Sequence, residues 1–375
     1  MKRQLGFSIL ALLAATATAP SGAAQARQAS TSTSILFTRA TFDPRTGDVL
    51  QSSLYRLDRP SNLVVPLAPA SASNDVSWQA RWSPAGSSVV YSHSSGRYPQ
   101  LYVVDRQGGT TRRITTGLTP HMQPVWGPQG GIAFITERSA DPDFDEGCLS
   151  IVKADGTGQH DLFCPPYVGY LRTQLSSSTP QWSADGKSIY LEVGALQAGL
   201  EPTYGDSRIY LVNAATGAVS KITEQQFDDT TVVSIAPDGQ HAVYALIGQN
   251  APLTVVDLAT GARSTLAANG ADVRYSKDGH LIAFVYRTSI INTASYGRVY
   301  VMNADGSNVH AAISHPDPNA TYAIGDWSAD SSRLLVNEAV NDQVNDQVVQ
   351  SVNLSTGTAT TLTQGIVGEG AWFKP

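Results

Sequence analysis

The chain ends on residues 368–375, "GEGAWFKP", a strand-like piece carrying Trp372 and Phe373, with no run after it to act as hairpin partner. A strand without a partner exposes a row of backbone donors and acceptors, so this one is expected to pair far back in the sequence. Six earlier stretches resemble it, and each is followed by a run that can pair with it. They are "RWSPAGSSVVYSHS" (81–94), "VWGPQGGIAFITE" (125–137), "QWSADGKSIYLEV" (181–193), "SIAPDGQHAVYAL" (234–246), "RYSKDGHLIAFVY" (274–286) and "DWSADSSRLLVNE" (326–338).

Each unit joins an aromatic or Ile anchor (Trp82, Trp126, Trp182, Ile235, Tyr275, Trp327) to a tight Gly, Pro or Asp turn and then to a β-branched, aromatic strand. A second hairpin follows in most, as in "RIYLVNAATGAVSKIT" (208–223) and "RVYVMNADGSNVHAAI" (298–313), so the unit is four short strands. Successive anchors lie from 40 residues apart (Ile235 to Tyr275) to 56 apart (Trp126 to Trp182), the range of propeller blades. Helical periodicity is absent outside the first residues. The pattern predicts an all-β, seven-bladed β-propeller in which each blade covers its neighbours. Merging the weak Ile235 unit would give six blades, which stays as the alternative.

The first blade starts at "SILFTRA" (34–40), which aligns with the second strand of the repeat, so its innermost strand is missing. Trp372 falls 45 residues after Trp327, where the seventh anchor belongs. The C-terminal strand is therefore expected to pair with the first blade and close the ring.

Ahead of the repeats, Met1-Lys2-Arg3 is followed by an apolar run from Leu5 to Ala19 and by Ala24-Gln25-Ala26, the pattern of a cleaved signal peptide. The expected organisation is a signal peptide at 1–26, a disordered tail at 27–33 and a single propeller domain at 34–375, in the periplasm or secreted. No later run reaches about 18 apolar residues, so no membrane insertion is expected. Loss of Lys2 and Arg3, with no acid in 1–26, takes the formal charge from −6 to −8. An acidic chain whose Arg112-Arg113 pair is isolated offers no nucleic-acid face. A monomer is expected.

Cys148 and Cys164 stand eight residues either side of Gly156, within a D-G-T-G turn between two alternating runs. That symmetry puts them opposite each other on a hairpin and predicts a disulfide, worth roughly 3 kcal/mol for a loop of about 15 residues. Two free thiols or soft-metal ligands are the alternative.

These units resemble the TolB-type WD40-like propeller repeat. The likeness is carried by Trp82-Ser83-Pro84-Ala85-Gly86, Trp182-Ser183-Ala184-Asp185-Gly186 and Ala236-Pro237-Asp238-Gly239, with Ile114-Thr115 and Ile222-Thr223 as closing pairs. It spans nearly all of the chain after the leader and implies the propeller fold. TolB proteins carry a further amino-terminal α/β domain that meets their inner-membrane partner. Only residues 27–33 would stand in its place here, so a Tol-system role is not expected. The same repeat precedes the hydrolase domain of prolyl-oligopeptidase-like peptidases, but no G-x-S-x-G elbow is present.

The turns on one face of such a ring are short ("SPAG", "SADG", "PDGQ"), and the long connections fall on the other, where binding is expected. Those connections hold Tyr167, Tyr170, Tyr204 and Tyr296, with Arg172 nearby, a composition suited to a protein or glycan surface. Asp141, Asp143 and Asp145 in "DPDFDEG" offer alternate carboxylates to calcium, but Glu146 and Pro142 break the usual loop pattern. A solvated acidic loop without a cofactor is the preferred reading of that segment. His121 opens an innermost strand near the channel mouth and is the candidate acid/base of an enzyme reading. Two functions stay open. The preferred one is an interaction module that binds an envelope protein or glycan through its loop-rich face. The alternative is a lyase or hydrolase acting on a polysaccharide or lactone at the channel mouth.

Overall fold

In the computed structural model, residues 32–375 form a ring of antiparallel sheets. Described are residues 32–43, 45–46, 48–96, 98–138, 147–165, 171–174, 179–197, 203–221, 231–246, 251–287, 297–340, 347–368 and 371–373. The expected leader and residues 27–31 of the expected tail lie outside them. Among the described residues there is no helix, and none therefore that is long and apolar enough to cross a membrane.

Seven blades make the ring. Blade one holds β1 (Thr33–Phe42), β2 (Val49–Arg59) and β3 (Leu63–Ala68); blade two holds β4 (Val76–Trp82), β5 (Ser88–Ser94), β6 (Gln100–Asp105) and β7 (Arg112–Arg113). Blade three runs through β8 (His121–Trp126), β9 (Gly131–Glu137), β10 (Gly147–Lys153) and β11 (His160–Phe163). In blade four, β12 (Leu171–Gln174) and β13 (Gln181–Trp182) share the inner edge of β14 (Ser188–Gln197), followed by β15 (Thr203–Asn213) and β16 (Val219–Lys221). Blade five holds β17 (Thr231–Ile235), β18 (His241–Leu246), β19 (Ala251–Asp257) and the first part of β20 (Arg263–Tyr275). The second part of β20 is the inner strand of blade six, with β21 (Leu281–Arg287), β22 (Gly297–Asn303) and β23 (His310–Ala311). Blade seven holds β24 (Ala320–Trp327), β25 (Arg333–Val340), β26 (Val348–Asn353) and β27 (Thr358–Gln364).

The innermost strand of blade one is β28 (Trp372–Phe373), which pairs Ser34 with Phe373 and Ile35 with Trp372. The C-terminal strand thus closes the ring as its sequence position predicts. Its ladder is short, and side chains complete the closure. Trp372 N–H donates to Asp326 Oδ2 at 2.8 Å, and the Trp82 indole N–H donates to Ala371 C=O at 3.1 Å. The amide of Asn337 holds Val367 from both sides, accepting from its N–H and donating to its C=O, each at 2.8 Å. Val367 then fills the space beside Gly325, where a Cβ would lie 2.4 Å from a Val367 methyl.

The same kind of side-chain stitch joins other blades. Inner strands β4, β8, β20 and β24 each carry a register shift, and Gln79, Gln123 and Asp272 at three of these bulges have φ of 53°, 55° and 49°. A bulge leaves one N–H outside the ladder. Gln79 Oε1 accepts the N–H of Gln123 in the next blade at 2.7 Å, and Asp272 Oδ2 accepts that of Ile324 at 3.4 Å. Gln181 accepts from Ile235 N–H, Ser234 from Tyr275 N–H, and Ser52 from Ser77 N–H. Apolar packing runs across the same seams. Phe37, Trp82, Tyr91, Leu335 and Val367, from blades one, two and seven, share one core cluster.

Cys148 and Cys164 form the expected disulfide, with Cα atoms 4.3 Å apart, one rung beyond the Leu149–Phe163 pair of β10 and β11.

A chain ending at Gln364 is expected to unfold at a lower temperature than the full chain, since it loses every closing contact. Asp326→Ala alone should cost about 2–3 kcal/mol, the range for charged hydrogen bonds whose partner is left buried. Thermal and urea unfolding measure both; an unchanged midpoint for the shortened chain would remove the closure from any role in stability.

Candidate functional site

The pairing of β1 with the closing segment is interrupted between Ile366 and Ala371. Strand β1 presents alternate backbone groups inward: Leu36 N–H donates to Ala371 C=O, and Thr38 exchanges both bonds with Ile366. Ala40 is the next inward rung, and among the described residues its inward edge has no partner. Inner strands β4 and β24, by contrast, pair along their whole length up to the long-connection face.

Where the inner strand of blade one stops short, a cavity of about 640 Å³ opens at the seam of blades one and two. Phe42, Val49 and Trp78 line it toward the long-connection face. Arg81 and Arg274, from blades two and six, line its channel side. Asp272 Oδ1 stands 3.8 Å from Arg274 Nε. The site therefore combines an apolar, aromatic wall, one open backbone rung and two guanidinium groups.

His121 opens the inner strand β8, as expected, but its ring turns into the core. It is 2% exposed, packed edge-on against Phe134 with ring centroids 5.2 Å apart. Its Nδ1 lies 3.0 Å from Gln100 Oε1, and Thr119 Oγ1 is 3.4 Å from Nε2. Gln100 Oε1 also accepts from the Thr115 hydroxyl, so the histidine belongs to a buried network joining blades two and three. Burial, with Arg113 acting in the same direction, pushes the imidazole down to about 4. A neutral core histidine, not an acid/base at the mouth, is what the sequence position holds. Asp326, at the comparable place in blade seven, is 1% exposed and is engaged by the closing strand and by Lys277 Nζ at 2.9 Å.

Tyr167, Tyr170 and Tyr296 lie outside the described residues, as do Asp141, Asp143 and Asp145. Arg172 and Tyr204 fall in strands rather than loops. They sit in β12 and β15, both in register with Leu196 of β14 between them. The hairpin of β14 and β15 runs on past the core of blade four and takes them with it. Trp78 was not singled out by the repeat pattern, because it stands four residues before the anchor Trp82. Its signal was visible as a second tryptophan in "VSWQARW" (76–82). The sulfur atoms of Cys148 and Cys164 and a carboxylate oxygen of Asp161 lie within 4.8 Å of one another, but the disulfide occupies both sulfurs.

No protein-family model matches the chain, and no curated protein matches it by sequence. Its fold is matched by solved structures. An oligogalacturonate lyase in complex with manganese superposes with a TM-score of 0.58 at 13% identity, covering 88% of this chain and 85% of that one. A puromycin-hydrolysing peptidase of Mycobacterium tuberculosis gives 0.62 at 13% identity over 88% of this chain, which spans 52% of the peptidase. TolB from Acinetobacter baumannii gives 0.48 at 14% identity, over 90% of this chain and 82% of TolB. At such identities the likeness is one of fold.

The folded His121 takes up its proton near pH 4, the unfolded one near 6.5, so between those values the unfolded chain binds more protons and acidification destabilises the ring. The effect should reach on the order of 3 kcal/mol at pH 4 and vanish above about pH 6.5. Urea midpoints of wild type and His121→Leu compared from pH 7 to 4 isolate it; parallel profiles would show that this histidine does not carry the acid limb.

Proposed function

We propose that the protein is an exported binding module that takes an extended, apolar segment of a partner protein at the seam of blades one and two, on the long-connection face. The observation that carries this reading is the cavity beside the free rung of Ala40. An extended peptide can add to an open strand edge through its backbone and place alternate side chains in an adjoining pocket. Phe42, Val49 and Trp78 would receive those side chains, and Arg81 and Arg274 favour a carboxylate at the inner end. The apolar wall favours a polypeptide over a glycan.

Export is supported by the apolar run from Leu5 to Ala19 with its A-x-A site, and by a disulfide that persists only in an oxidising compartment. The lyase or hydrolase alternative rested on His121 at the channel mouth, and the packing of that ring against Phe134 favours the binding reading.

Peptides selected from a random library against the wild-type protein test the reading. Trp78→Ala should weaken their binding by at least the roughly 2 kcal/mol of an aromatic hot spot. Ala40→Pro deletes only an unpaired edge donor, so it should leave the fold intact and abolish the added strand. Asp238→Asn, in a short turn on the opposite face, should change nothing. Equal affinity of wild type, Trp78→Ala and Ala40→Pro would place the binding elsewhere.

A further inference from the structure

The short-turn face, which connection lengths mark as the plain one, holds a groove of about 780 Å³ between blades three and four. Its origin is a local departure from the repeat. In blades two, four, six and seven a serine opens the turn after the inner strand, and its hydroxyl accepts the N–H five residues on. These bonds are Ser83 from Ser88, Ser183 from Ser188, Ser276 from Leu281 and Ser328 from Arg333, at 2.9–3.1 Å. Blade three has Gly127 instead, and its turn closes one residue sooner, with Gly127 N–H donating to Gly131 C=O at 2.7 Å.

The indole of Trp182, from blade four, occupies the space so released. A Cβ on Gly127 would lie 2.8 Å from that ring. The indole N–H is tied back to Val125 C=O at 3.1 Å, which fixes the ring in place. Trp82 is 7% exposed beneath the Arg106 guanidinium and Trp327 is 2% exposed, while Trp126 and Trp372 are partly buried. Trp182 is only half-buried, and it lines the groove together with Gly131, Ile151, Lys153, Lys187 and Asn213.

The carboxylates nearby are already engaged by their own turns. Asp155 Oδ1 accepts from the Thr157 N–H and hydroxyl at 2.9 and 2.6 Å. Asp185 Oδ1 accepts from the Ser183 hydroxyl and Lys187 N–H at 2.7 and 3.0 Å, and its Oδ2 lies 3.7 Å from the exposed Lys187 Nζ. Arg112, from blade two, donates to Ala154 C=O at 2.5 Å at the edge of the same turn. A flat, anchored aromatic ring with cationic groups at its rim, on a protein of net charge −6, fits a ligand with an apolar ring face, hydroxyl edges and a negative charge.

We propose that this groove binds a carboxylate-bearing saccharide, its pyranose ring stacked on Trp182 and its carboxylate turned toward Lys153 and Lys187. The site is on the opposite face from the peptide cavity and does not depend on it. Gly131 supplies the sharpest test. A Cβ there would meet Ile151 and Trp182 at 3.7 and 3.8 Å, ordinary contact distances, so the backbone accepts a side chain and Gly131→Val builds its methyl groups into the groove.

Calorimetric titration of the full exported chain with a glucuronate-containing tetrasaccharide and with a neutral glucose tetrasaccharide reads the outcome. The acidic probe should bind at least about fivefold more tightly, and Trp182→Ala and Gly131→Val should each weaken it at least about tenfold. Gly131→Val should keep the wild-type thermal midpoint, and the Lys153→Gln/Lys187→Gln double variant should erase the preference for the acidic probe. Equal binding of the two probes, undiminished binding by Gly131→Val, or no heat with the acidic probe at millimolar concentration would each overturn the proposal.

Discussion

The carboxylate of Asp326 holds the ring shut. It sits at the end of the inner strand of blade seven, 1% exposed, and accepts at once from its neighbour Trp327 N–H, from Trp372 N–H across the seam and from Lys277 of the preceding blade. A buried carboxylate is tolerable only when donors surround it. Here the donors come from blades six and seven and the closing strand, so the charge is satisfied only while all three are in place. The two-rung ladder of β28 would be a weak clasp by itself, and Asn337 and Trp82 supply the further bonds that the missing ladder does not.

Closure by side chains has a geometric result that closure by a full strand would lack. Because Val367 is held by Asn337 rather than by β1, the closing segment leaves the first blade after Ile366 and returns at Ala371. The inner strand so shortened ends at Ile366, and the cavity lined by Phe42 and Trp78 opens beyond it, beside Ala40. Gly325 belongs to the same arrangement. The corresponding bulges hold Gln79, Gln123 and Asp272, but in blade seven Val367 occupies the volume a side chain would need. The seam that stabilises the ring is thus also the seam that opens a site.

Much of this architecture was legible in the sequence, because propeller anchors are fixed by packing that every blade must repeat. Trp82, Trp182 and Trp327 each end an inner strand, and the position of Trp372 identified the closing strand. The count of seven survived even where β20 serves two blades without a break, since Ile235 and Tyr275 still mark separate inner strands. Sites were less legible. The position of His121 in an inner strand says nothing about which way its ring turns, and the register shift between Met122 and Val125 lies directly beside it. Its burial follows from Gln100 and Phe134, residues of other strands that no local spacing connects to it. Arg172 and Tyr204 were misplaced for a different reason. The residues around them carry loop-like composition, yet β14 offers both of its edges and draws them into strands.

Left-handed backbone at a glutamine or aspartate costs on the order of 1 kcal/mol or more, so its recurrence at Gln79, Gln123 and Asp272 needs a compensating gain. The gain lies in the direction the bulge gives to the side chain. At Gln79 and Asp272 an acceptor reaches the next blade, where it finds an N–H at that blade's own register shift, on Gln123 and on Ile324. The bulges of blades two and six thus supply the acceptor, and those of blades three and seven the donor. Asp326 serves the strand that arrives last in the sequence in the same way, accepting from Trp372 N–H across the closing seam.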